Sequence, residues 1–189
     1  NMALLIKKNK KSHLEYFTQS NGEAQYFYEN LSKCQAYADP LRKKTSFLMK
    51  LLMESHMVYF SDEQDLIPIM DYHMQRVLLR TGCVEVLDKS LNWALKNRSP
   101  LENDLEIREA CIESMKLIAR TSGFSIFKMN DVFYTLGRSC CNENMLCQSK
   151  ICEKSPCSLD IAVYLENHDH CIFQSICTGA ENDEYGKFW

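Results

Sequence analysis

The chain is poor in helix breakers: it has six glycines and four prolines in 189 residues. That scarcity fits a mostly helical protein. No alternating strand pattern survives comparison with the helical one, and there is no internal repeat or low-complexity segment. No apolar stretch approaches the length of a membrane span. Ala3-Leu4-Leu5-Ile6 is too short for a signal-peptide core and runs into lysines, which predicts a reducing, cytoplasmic setting. The charge is also modest, at −3 overall. That value does not advertise nucleic-acid binding, but a local basic face is what such binding needs.

What the chain does have is enough apolar material for a proper core: 46% of its residues are hydrophobic. Small secreted disulfide scaffolds are usually shorter and poorer in such residues. It also has cysteine in one place. Seven of the ten cysteines lie between Cys140 and Cys177, directly after Leu136-Gly137-Arg138. In a reducing setting such crowding favours metal over disulfides.

Helical spacing organises the rest. Residues 11–34 read as one or two helices broken at Asn21-Gly22, with Leu14, Phe17, Tyr26, Phe27, Tyr28 and Leu31 as core. Asp39-Pro40 reads as an N-cap and first helical residue of a helix to about Met53, burying Leu48, Leu51 and Leu52. A helical stripe of Met70, Met74, Val77 and Leu78 ends at Gly82. Val84 to Lys96 predicts another helix. Asn103 or Asp104 starts a long one with Ile107, Cys111, Met115 and Ile118 inward, stopped by Gly123. Phe127 to Leu136 predicts a short helix, and residues 158–166 one more. Tyr59, Phe60, Trp93 and Phe124 are expected in the core, and His56 on the surface. The class expected is all-α.

Three short strings carry chemistry. Asp71-Tyr72-His73-Met74-Gln75-Arg76-Val77-Leu78-Leu79-Arg80-Thr81 reads D-x-H-x-x-R-V-x-x-R-T. Lys43-Lys44-Thr45 opens an apolar helix 27 residues upstream of Asp71. Leu136-Gly137-Arg138-Ser139-Cys140-Cys141 leads into the cysteines. In this order the strings resemble the endonuclease III branch of the helix-hairpin-helix DNA glycosylases: the R-K-T with its lysine, the segment after the catalytic aspartate, and the G-R-x-x-C before the 4Fe–4S loop. The resemblance covers roughly residues 39–157. It implies a helix-hairpin-helix glycosylase-like helical domain over residues 1–136, in which, relative to the family, either an N-terminal part lies outside this chain or the first domain is reduced. A cysteine-rich iron–sulfur loop and extension would occupy residues 137–189.

The implied activity is removal of a damaged or modified base from DNA, with or without strand nicking by an AP lyase step. By the same resemblance Lys44 is the Schiff-base nucleophile, and Asp71 is the carboxylate that stabilises the sugar cation. Those residue types suit the chemistry: a carboxylate offsets developing oxocarbenium charge, and an amine can form an imine with the sugar. Arg42, Lys43 and Thr45 are the expected DNA contacts. His73 is expected to be structural, and Arg76 with Arg80 to pair internally. The chain departs from the family at the hairpin, where L-P-G-x-G-x-K-T becomes Ala38-Asp39-Pro40-Leu41-Arg42-Lys43-Lys44-Thr45, without either glycine. In this, and in the Lys44–Asp71 gap, it is nearer the archaeal 8-oxoguanine glycosylase class.

The metal ligands are open between two sets. Cys141, Cys147, Cys152 and Cys157 form the compact one, while Cys141, Cys147, Cys171 and Cys177 form the other, with the family's terminal C-x5-C. Thiolates suit a 4Fe–4S cluster or zinc, and the cluster is favoured because C-x2-C knuckles are missing. A structural role is expected, with Lys150 and Lys154 near phosphates, and His168 and His170 in an exposed loop. The expected partner is DNA, with no membrane, in the cytoplasm or at a nucleoid. Rival readings are a glycosidase acting on a nucleoside or RNA, and a non-catalytic iron–sulfur nucleic-acid-binding protein.

Overall fold

A computed structural model describes residues 22–97, 99–142 and 146. Within them are α1 (Ala24–Leu31), α2 (Lys43–Glu54), α3 (Tyr72–Arg80), α4 (Lys89–Lys96), α5 (Leu105–Ser122) and α6 (Ile126–Arg138), with short 3-10 turns at Gln35–Tyr37 and Glu63–Asp65. The described residues are mostly helical and contain no strand. No described helix is long and apolar enough to cross a membrane. The helix expected at 158–166, Leu14 and Phe17 lie outside the described residues.

The centre is α3. Every residue from Met74 to Arg80 is buried, so this helix has no solvent face beyond its first turn. It packs on α6 and α5, which also pack on each other. On α5, Ile107, Cys111 and Met115 point inward and Ile118 is partly buried. Burial pushes the Cys111 thiol up to about 12, with Cys83 adding to the shift, as befits a cysteine used as a small core hydrophobe. Gly123 ends α5 in the left-handed conformation (φ 73°), where glycine carries no Cβ penalty. The α1 helix leans on α2. Tyr28 ties the two together: its hydroxyl meets Ser46 Oγ at 3.1 Å and accepts from the Ile67 amide at 2.8 Å.

Several boundaries differ from expectation, each for a local reason. The second helix starts at Lys43, not Pro40. Asp39 instead opens a turn, with Arg42 N–H donating to Asp39 O at 3.1 Å. Arg42 takes a left-handed φ of 56°. The Asp39 carboxylate still caps the helix from farther back, accepting from the amides of Lys43 (2.8 Å) and Lys44 (3.4 Å). The fourth helix starts at Lys89, because Asp88 caps it through the Leu91 amide at 2.7 Å. Residues 84–87 are irregular. Phe27 and Tyr28 are buried as expected, and so is Phe60; Tyr59, Trp93 and Phe124, also expected inside, are exposed. Leu51 is also exposed, while Leu52 is buried and Leu48 half-buried. His56 is exposed as expected.

A candidate active-site cleft and its support

Asp71 is the N-cap of α3. Its Oδ1 accepts from the amides of His73 (3.0 Å) and Met74 (3.1 Å), groups that a helix start leaves without intrahelical partners. Both bonds use the same oxygen, so Oδ2 takes no hydrogen bond from a described residue. Asp71 is nearly buried, yet it lines a cleft of about 850 Å³ between α2 and α6. Lys44 and Lys43, on the first turn of α2, line the same cleft. The lysine and aspartate singled out by the sequence thus share one cavity. Lys44 is exposed and Lys43 half-buried. Thr45, the third residue expected to contact DNA, is fully buried, and its Oγ1 finds no partner among the described residues. Arg42 lays its guanidinium over the Tyr28 ring, 5.3 Å from the centroid.

The rest of the cleft was not signalled by any motif. Phe47 and Tyr134 supply aromatic surface, each more than a third exposed. Lys50, two turns along α2 from Lys43, is a second lysine in the cavity. Its ammonium is paired with Glu54 (2.8 Å) and Asp131 (2.9 Å). Burial pulls the Lys50 pKa down, but the two carboxylates outweigh it and the net shift is upward. Lys50 therefore stays protonated and is unsuited to nucleophilic attack. Asn130 and Asp131, on α6, complete the wall.

Behind Asp71 lies a dense polar joint between α3 and the end of α6. Arg76 Nη2 donates to Gly137 O at 2.7 Å, and its Nε to Cys141 O at 3.0 Å. Arg80 Nη1 donates to Cys141 O (2.8 Å), Asn142 O (2.9 Å) and Cys141 Sγ (3.2 Å). Both arginines are buried. The internal pairing expected of them is present, and it includes backbone carbonyls and the Cys141 sulfur. Last-turn carbonyls have no intrahelical partners and sit at the negative pole of the helix, so guanidinium groups suit them. Gly137 lets the two helices meet: a Cβ there would lie 2.6 Å from His73 O. His73 makes local contacts within the joint. Its Nδ1 lies 3.2 Å from Arg76 Nη2 and its ring meets Tyr134 edge-on at 5.7 Å. Burial lowers the His73 pKa, helped by the charges of Arg76, Arg138 and Lys43 against the opposing pull of Asp71. A neutral His73 lets Nδ1 accept the arginine proton.

The arginines deliver Cys141 to a defined place at the end of α6. The other candidate ligands, Cys147, Cys152, Cys157, Cys171 and Cys177, lie outside the described residues, as do Lys150, Lys154, His168 and His170. Among the described residues no cluster of His, Cys, Asp or Glu could hold a metal. No family model, curated protein or solved structure matches the chain.

Proposed function

We propose that the chain is a helix-hairpin-helix glycosylase-like enzyme that removes a damaged or modified base from DNA. The observation that carries this reading is the shared cleft: Lys44 and Asp71, chosen from separate strings, line one cavity. A flipped nucleotide needs such a cavity, with stacking surface and polar groups for the base edge. Phe47 and Tyr134 supply the first. Asp71 keeps Oδ2 toward the developing sugar cation while Oδ1 anchors it to α3. Lys44, exposed and lining the same cleft, would attack the sugar and form the imine of a lyase step. Lys43, half-buried on the first turn of α2, is a candidate DNA contact. Arg42 is half-buried over Tyr28 and joins it as a candidate phosphate contact.

A 4Fe–4S cluster suits this chain's cysteines, with zinc as the alternative. Cys141 would be one ligand, joined by Cys147, Cys152 and Cys157 or by Cys147, Cys171 and Cys177. The fit rests on Arg80, whose N–H reaches Cys141 Sγ, since such outer contacts orient a sulfur ligand. The group, when bound, would staple the cysteine segment to the α3–α6 joint.

A base-excision assay on oligonucleotides with single modified bases tests the reading. Lys44→Gln and Asp71→Asn should each abolish base release or nicking; full activity in both variants would refute the assignment. One observation favours a glycosidase working on a nucleoside or RNA as second reading. The hairpin glycine positions are held by Pro40 and Arg42, and Arg42 takes the left-handed conformation with its guanidinium over the Tyr28 ring. Activity on nucleosides, without salt-dependent duplex binding, would select that reading.

A further inference from the structure

Asn130 lies on α6 with its side chain buried, yet it forms part of the cleft wall beside Asp71. Its Oδ1 accepts from the Ile69 amide at 2.7 Å. That bond settles the orientation of the amide, because a backbone N–H can only meet the oxygen. The amino group, Nδ2, is left over, and no described residue accepts from it. The cleft therefore holds a fixed donor that cannot swap roles with its own oxygen. Phe47 and Tyr134 flank the cavity with exposed aromatic surface.

A fixed donor discriminates among flat polar ligands. A base that presents a carbonyl oxygen accepts from Nδ2. A base with an exocyclic amine sets N–H against N–H, and both groups lose their partners in a dry site. Sites built around one buried hydrogen bond reject the mismatched analogue far more strongly than apolar pockets do. We infer that Asn130 is a specificity-determining residue that selects nucleobases presenting a keto oxygen over those presenting an amine. This rests on the base-binding reading above and names its substrate class.

The test compares otherwise identical oligonucleotides, single- and double-stranded, carrying uracil or cytosine on a cleavage-resistant 2′-fluoroarabino sugar. A second pair carries hypoxanthine or adenine. Affinities are read by fluorescence anisotropy. Wild-type protein should bind the keto member of each pair about tenfold more tightly, equivalent to one hydrogen bond's worth of binding energy. Asn130→Asp keeps an oxygen for the Ile69 amide and replaces the donor with an acceptor, so the preference should reverse. Reading the ratio within each pair cancels the uniform repulsion of the added charge. Equal wild-type affinity for keto and amino members overturns the Asn130 assignment, whether or not the variant folds. An unreversed preference in a folded Asn130→Asp protein overturns it as well. If no probe binds in either form, the nucleobase reading itself falls, and this inference with it.

Discussion

Two regions present the family-like residues, and they are built differently. At the α3–α6 joint, Arg76, Arg80, His73 and Gly137 form a buried assembly, with guanidinium groups bonded to carbonyls and a sulfur. At the start of α2, Arg42, Lys43 and Lys44 sit at or near solvent, on a turn with a left-handed arginine. The joint matches the resemblance string closely, while the turn departs from it at both glycines. The difference has a physical reason. Joint residues answer to their own backbone, and a buried guanidinium or a Cβ-free contact tolerates little change. Turn residues at or near solvent meet fewer such constraints.

Changes at the joint should be the most damaging. Gly137→Ala places a Cβ against His73 O, and overpacking of this kind should cost about 3 kcal/mol, read as a lower urea midpoint. A loss under about 1 kcal/mol would mean that α6 can shift away from α3. Arg80→Met keeps bulk but strips the hydrogen bonds to Cys141 and Asn142. It should cost about 2 kcal/mol and, if a metal binds, reduce the metal retained after purification. An unchanged metal content would show that Arg80 does not place Cys141.

A third prediction concerns pH. The folded His73 pKa lies below its ordinary 6.5. Below that value the unfolded chain takes up the proton more readily than the folded one. Stability from this source is therefore complete above about pH 6.5 and falls as the pH drops through it. His73→Asn should flatten that part of the stability–pH curve measured by thermal melting, and an unchanged slope would remove His73 from the account.

The turn should respond least. Arg42→Gly relieves a left-handed residue, at about 1 kcal/mol, and gives back part of that through the lost Tyr28 contact and glycine's greater unfolded freedom. A net gain of about 0.5 kcal/mol is expected, seen as a small rise in Tm. A clear loss would show that Arg42 anchors the turn to α1.

The sequence disclosed helical residues more readily than helix limits. The stripe Met74, Val77, Leu78 marked α3, and Asp71 was readable as its cap. The start of α2 was not, because Asp-Pro opens turns as well as helices and only the conformation of Arg42 decides between them. Arg76 and Arg80 could be read as internal, but not their partners, since backbone carbonyls leave no trace in a residue string. Tyr59, Trp93 and Phe124 look like core by residue type alone; their exposure depends on which way short elements face. Asn130 and Lys50 carry no motif, and reached the cleft only through the packing of α2 and α6.

The central claim is that Lys44 and Asp71 act together in one cleft, and it can be separated from stability. Asparagine caps a helix about as well as aspartate, and an exposed lysine contributes little to folding, so Asp71→Asn and Lys44→Gln should melt within about 0.5 kcal/mol of wild type. Borohydride reduction in the presence of abasic-site DNA, followed by peptide mass mapping, measures the claim directly. The account predicts a covalent adduct on Lys44, lost in Lys44→Gln and strongly reduced in Asp71→Asn. An adduct on another lysine, or one of full yield in both stable variants, would contradict it.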